Sequence, residues 1–186
     1  MSSPALRRQD RILAEEEARQ FLARAYCGRL ATISDDGWPY IVPLLYVFSG
    51  DEIGLHNTSA RGHLRSNVQR DARACFEVDD SISVFDYGRF ECDTGLAYRS
   101  VIAYGHIRII DDRAAKNRFF DALMAKYGTG AVRPKSFYPR LDDVTVYAMT
   151  VERITGKHCP LPPVSEQWPA LDRTKSPDKI PPAALP

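Results

Sequence analysis

The apolar positions change period several times along the chain, and each change marks an element. From Ile12 to Tyr26 the residues Ala18, Phe21, Leu22 and Ala25 recur at i, i+3, i+4 and i+7, which predicts an amphipathic helix with Gly28 placed to end it. Two β-rich runs follow, Arg29 to Ser34 and Tyr40 to Phe48. They flank Asp35-Asp36-Gly37-Trp38-Pro39, whose Asp-Gly and Pro signals predict a hairpin. A turn at Ser49-Gly50-Asp51-Glu52 leads into a short strand, Ile53 to His56, and then into a helix over Arg61 to Arg70 with Leu64 and Val68 on one face. Ala72 to Val78 reads as a strand, Ser81 to Thr94 as irregular around Gly88, and Leu96 to Ile110 as a long β-branched and aromatic run. Asp112 is placed to cap a helix reaching Tyr127, with Ala115, Phe119, Ala122 and Leu123 on one face and Gly128 beyond its end. Val144 to Ile154 reads as the last strand.

About six strands with an early hairpin and later long-range pairings predict a mainly β protein, a closed or partly closed antiparallel barrel with appended helices. A doubly wound parallel sheet would alternate strand and helix from the start, and the hairpin breaks that pattern. Eight of the thirteen prolines follow Cys159, a density that excludes a regular helix or central strand there. The expected organisation is an N-terminal arm over residues 1–11, one domain over 12–158, and a proline-rich tail over 159–186.

Composition narrows the function classes. With 25 Lys and Arg against 24 Asp and Glu, there is no large net field to draw the chain to nucleic acid or to an anionic membrane. No apolar run approaches the roughly 18 residues of a membrane span, and the N-terminal segment lacks a signal-peptide core, so a cytoplasmic location is expected. Cys27, Cys75, Cys92 and Cys159 have no CxxC or zinc-type spacing and are read as unpaired thiols. No metal site is expected. GxSxG, GxGxxG and GxxxxGK[ST] are all missing, which argues against a serine hydrolase, a dinucleotide fold and a P-loop.

The segment His56-Asn57-Thr58-Ser59-Ala60-Arg61-Gly62-His63-Leu64-Arg65 runs from a strand end into a helix start. It gathers backbone N–H groups, hydroxyls and cationic side chains suited to a phosphate. The same hydroxyls of Thr58 and Ser59 also serve as helix caps, and Arg61 and Arg65 also read as a solvated face. His56 and His63 flank the turn as groups able to meet a phosphate or a flavin, or as structural residues. Trp38, Tyr40, Tyr46, Phe48, Tyr98 and Tyr104 are read first as core or subunit-interface residues.

The ordered pieces Gly28-Arg29-Leu30-Ala31-Thr32, Pro39-Tyr40-Ile41-Val42-Pro43-Leu44, the His56 to Leu64 turn, Tyr98-Arg99-Ser100-Val101 and Val151-Glu152-Arg153-Ile154-Thr155-Gly156-Lys157 resemble the FMN-binding split β-barrel proteins. These are the pyridoxamine 5'-phosphate oxidase-like superfamily, and the similarity is strongest to its nitroimidazole-reductase, or Nim-type, branch. It spans Arg8 to His158. The resemblance implies a six-stranded antiparallel split barrel, a homodimer built through the barrels, and two FMN sites shared across that interface. It implies that the flavin ring lies along Val42, Pro43, Leu44 and Leu45, and that the phosphate sits at Asn57, Thr58, Arg61, His63 and Leu64. Tyr98, Arg99 and Ser100 would approach the flavin region, and His56 would be the active-site histidine.

Two departures stand out. True pyridoxamine-phosphate oxidases present an Arg-Lys pair at the phosphate turn, where this chain has Arg61, Gly62 and His63, which implies weaker or pH-dependent phosphate binding. Its tail is proline-rich in place of an arginine- and histidine-rich end, which argues against that specific oxidase activity. What the resemblance then implies is an FMN-dependent oxidoreductase of nitroreductase type, taking electrons from a reduced nicotinamide or another donor to a small, aromatic acceptor. The alternative is a flavin- or haem-binding carrier or sensor without turnover.

Overall fold

The computed structural model describes residues 6–85, 94–128 and 138–162. The predicted irregular segment around Gly88, Cys92 and most of the proline-rich tail lie outside the described residues. Among the described residues three α-helices, α1 (Glu15–Arg24), α2 (His63–Arg70) and α3 (Arg113–Tyr127), accompany seven strands. The strands are β1 (Gly28–Ile33), β2 (Pro39–Leu44), β3 (Tyr46–Ser49), β4 (Glu52–Thr58), β5 (Arg73–Phe85), β6 (Gly95–Ile110) and β7 (Val144–Cys159). They form one sheet in the order β2-β1-β5-β6-β7-β4-β3.

The chain clusters into two compact units. Among the described residues the larger covers 14–78, 101–128 and 138–156, and the smaller covers 6–13, 79–85, 94–100 and 157–162. In the smaller unit Phe85, Ala97 and Cys159 form an apolar cluster against which Tyr98 packs, and Ile12 bridges Lys157.

The expected barrel is correct in class, and the strand count is corrected from six to seven. The single strand predicted over Tyr40 to Phe48 is broken at Leu45. Up to Leu44 the chain pairs with β1, and from Tyr46 it pairs with β4. Leu44 and Tyr46 are two peptides apart, about 7 Å at most, yet they occupy opposite edges of the sheet. The sheet therefore has to curl until its two edges face each other, while no ladder joins β2 to β3. That is a split barrel. The break is anchored from α3, where Tyr127 Oη accepts from Tyr46 N at 3.3 Å and donates to the Tyr26 carbonyl at 2.8 Å. Lys126 Nζ lies 3.7 Å above the Tyr46 ring, whose hydroxyl donates to the Leu22 carbonyl.

Alternation fills the interior. Leu30, Ile53, Leu55, Phe76, Val78, Val101, Ala103, Tyr147 and Met149 are fully buried, each from strand positions two apart. Leu64 and Val68 bury one face of α2 as predicted. The buried Asn67 amide donates to Thr32 Oγ1 at 3.1 Å, seating that helix on β1.

Several boundaries differ from expectation for local reasons. The first helix ends at Arg24, and Gly28 instead opens β1, where a Cβ would stand 2.2 Å from the Phe76 ring, so this glycine permits close approach. Ser81 to Phe85 continues β5 as strand, and β7 runs on to Cys159. Asp112 caps α3, accepting from Ala115 N at 2.8 Å. Of the predicted apolar face of α3, only Leu123 is buried. Among the described residues Cys27, Cys75 and Cys159 are unpaired, no group of three or more His, Cys, Asp or Glu side chains could hold a metal, and no helix is long and apolar enough to cross a membrane.

Candidate functional site

The phosphate-like turn begins where β4 ends at Thr58. Ser59 N donates to the Asp143 carbonyl at 2.9 Å, and Arg65 Nη1 donates to the Ser59 carbonyl at 3.0 Å, so Arg65 tethers the turn. The N-cap of α2 is Gly62, extended at φ −128°, and it makes no side-chain cap. Neither Thr58 nor Ser59 takes the capping role that local sequence allowed. The first N–H groups of α2 thus lack side-chain acceptors, the condition under which a helix start attracts an anion.

Arg61 and His63 are exposed and line one polar cleft of about 710 Å³, together with Ser34, Asp35, Asp36, Ser66, Asn67, Gln69 and Arg70. Two guanidinium groups and an imidazole face two carboxylates across this cleft. Asp36 Oδ1 accepts from Trp38 N at 3.1 Å and Asp35 Oδ1 from Asp36 N at 3.0 Å, so both carboxylates are engaged in the β1–β2 turn, where Gly37 adopts φ +85°. Sequence reading missed Ser66, Asn67 and Arg70, although with His63 they form an i, i+3, i+4, i+7 polar stripe that was there to be read. Asp35 and Asp36 were read only as turn formers.

Beside this cleft runs β2. Its residue Tyr40 meets His63 edge-on at 5.5 Å between ring centroids. Because Ser34 N donates to the Trp38 carbonyl at 2.8 Å, the register makes Thr32–Tyr40, Leu30–Val42 and Gly28–Leu44 the hydrogen-bonded pairs. The N–H of Ile41 and the carbonyls of Ile41 and Pro43 therefore point off the sheet edge. Pro39 and Pro43 sit where no ladder N–H is needed. Val42 and Leu44 are half-buried, while Pro43 and Leu45 are exposed.

The remaining predicted residues are not all gathered here. Leu64 is core. Asn57 Oδ1 accepts from Tyr147 Oη at 3.0 Å. His56 occupies the opposite face of β4 from Asn57, beneath α3, with ring centroids 5.6 Å from Phe119 and 5.2 Å from Phe120. Its Nδ1 is buried with no hydrogen-bond partner, and burial holds the imidazole below its ordinary pKa. Tyr98, Arg99 and Ser100 belong to the smaller unit, where Tyr98 packs on the Phe85 cluster.

The outer face of the sheet carries a second, mainly apolar hollow of about 590 Å³, lined among others by Ala31, Ile33, Pro39, Cys75 and Tyr104. Ile41, which shares this face, is 62% exposed. At its margin Arg153 stacks 3.8 Å above the Tyr104 ring and His106 Nδ1 lies 2.6 Å from Glu152 Oε1. Burial raises the Cys75 thiol above its ordinary pKa, against a smaller opposing pull from Arg153, which disfavours the thiolate.

These features fit a flavin mononucleotide. An uncapped helix start with Arg61 and His63 suits its phosphate, and an edge strand presenting outward peptide groups suits the polar edge of its ring system. The carboxylates of Asp35 and Asp36 oppose the anion and weaken that fit.

No curated protein matches the chain. Among solved structures, a FAD and haem binding protein from Mycobacterium smegmatis is 21% identical, covering 93% of this chain and 92% of that one with TM-score 0.70. A candidate 5-nitroimidazole antibiotic resistance protein from Bacteroides thetaiotaomicron is 20% identical over 78% of this chain and 85% of its own, with TM-score 0.66. A flavocytochrome from Azotobacter vinelandii is 18% identical over 98% and 85%, with TM-score 0.70. At these identities the likeness carries the fold. The family described as pyridoxamine 5'-phosphate oxidase matches residues 14–158, most of the chain, and the protein belongs to that family.

Proposed function

We propose that the protein is an FMN-dependent oxidoreductase, working as a homodimer, that moves electrons from a reduced nicotinamide to a small, aromatic acceptor. The observation that carries this reading is the adjacency of two parts: the edge of β2 with its outward Ile41 and Pro43 peptide groups, and the cleft of Arg61 and His63, joined by the Tyr40–His63 ring contact. Arg61, His63 and the α2 N–H groups hold the phosphate, and Val42 to Leu45 fix the ring. Bound flavin supplies reversible two-electron chemistry, and the protein supplies position, a dry wall and hydrogen bonds. His56 orients or protonates the acceptor. The apolar hollow around Ala31, Cys75 and Tyr104, with exposed Ile41 beside it, is the surface assigned to the second copy.

The first experiment is the visible spectrum of freshly purified protein with identification of any released chromophore by mass. Flavin absorbance bleached by NADPH supports the reading, and a colourless protein that ignores added FMN overturns it. His63→Ala should weaken FMN binding in a titration. His56→Ala should lower turnover and leave the yellow colour, and unchanged turnover removes that role.

One observation favours a second reading, haem binding without turnover. The unpartnered Nδ1 of His56, walled by Phe119 and Phe120, is a nitrogen with no competing hydrogen bond, as an iron ligand requires. A Soret band in the purified protein that is lost in His56→Ala would select this alternative.

A further inference from the structure

Helix α3 does not close fully onto the sheet. Ala115, Phe119 and Ala122, predicted as its buried face, remain only half-buried, and beneath them lies a cleft of about 390 Å³. Its walls are Val47 of β3, Gly54 of β4, and Val146 and Ala148 of β7. The cleft is open because these positions carry small side chains. At Gly54 the missing side chain lets the Phe119 ring pack directly on β4, since a Cβ would stand 2.8 Å from it. The volume falls within the usual range for small-molecule sites, roughly 300–1,000 Å³.

The rim is charged. Arg108 is compensated, since its Nη2 donates to Glu52 Oε1 at 2.6 Å and its Nη1 to Thr150 Oγ1 at 3.1 Å. Arg118, exposed on α3, makes no ion pair among the described residues, so the lining of Arg108, Arg118 and Glu52 keeps one cation in excess. A slot with an apolar floor and a polar rim that carries one uncompensated guanidinium suits a flat apolar body ending in one negative charge. A guanidinium fork matches the two oxygens of a carboxylate. Polyphosphates are disfavoured, because one free cation cannot balance them and Glu52 repels them.

We propose that this cleft is a binding site for a small aromatic carboxylate, separate from the Arg61–His63 cleft. The proposal goes beyond the flavin reading and stands without it. Phe119 forms the wall shared with His56, 5.6 Å away between ring centroids, so a bound molecule is reported at the His56 imidazole.

The test is titration of the full-length protein, as purified, with benzoate and 3-phenylpropionate, read by calorimetry and by the histidine ring resonances. Benzamide serves as the neutral analogue. Saturable benzoate binding that moves the His56 signal, weakens about tenfold or more in Arg118→Gln, and is lost in Ala122→Leu supports the site. Arg118 is exposed, so its variant keeps the fold, which circular dichroism checks. If the protein ignores both acids at millimolar concentration, if benzamide binds as well as benzoate, or if Arg118→Gln binds like the parent, the proposal is wrong.

Discussion

Gly105 lies on β6, packed against the neighbouring strand β7 at Thr150. A Cβ built there would stand 1.9 Å from the Thr150 carbonyl oxygen and 2.9 Å from its carbon, both backbone atoms that cannot rotate away. A carbon needs about 3.2 Å from an oxygen, so Gly105→Ala forces a local separation of roughly 1.3 Å between the strands. Overpacking of this kind costs about 1–3 kcal/mol, and each weakened ladder bond adds about 1 kcal/mol. The expected loss is about 2–4 kcal/mol, which for a chain of this length lowers Tm by roughly 5–15 °C. The control is Gly62→Ala, where φ is −128° and nothing lies within 4 Å. It should cost about 1 kcal/mol, the preference for glycine over alanine at an N-cap. Thermal unfolding followed by circular dichroism reads both. A fall of less than about 2 °C for Gly105→Ala, or an equal fall for Gly62→Ala, refutes the steric argument.

Other expectations follow from single contacts. Asp112→Ala removes the α3 cap and should cost about 1 kcal/mol in urea unfolding, whereas Asp112→Ser should recover most of it. Thr32→Val keeps shape but strands the buried Asn67 amide, a loss of about 1–3 kcal/mol that Asn67→Leu in the same background should partly relieve. Burial lowers the folded-state pKa of His56, so on acidification the unfolded imidazole binds its proton first. Stability is then present above the unfolded pKa near 6.5 and lost as pH falls below it, by at most about 1.4 kcal/mol per pH unit. His56→Phe should flatten that acid limb between pH 7 and 5, and an unchanged slope counts against it.

Periodicity and punctuation were enough to place most elements. The stripe of Ala18, Phe21 and Leu22, the Asp-Gly turn at Asp36 and Gly37, the Asp112 cap and the Leu64–Val68 face are all local, and local patterning survives into the structure because each pays its own hydrogen bonds and burial. That Arg61 and His63 share one strand-to-helix turn was legible for the same reason, since a strand end running into a helix start is a feature of ten consecutive residues. What only tertiary structure decided is non-local. The break at Leu45 is invisible in a continuous apolar run, because it arises from the chain exchanging β1 for β4 as its partner. The face that His56 occupies depends on where α3 lies, about sixty to seventy residues further on, and the unfilled cleft under that helix depends on small residues from four separate elements. The union of Tyr40 with His63 likewise requires β2 and α2 to be brought together by the curl of the sheet. Contacts of that sequence separation are set by packing of the whole sheet, and no window of the sequence contains them.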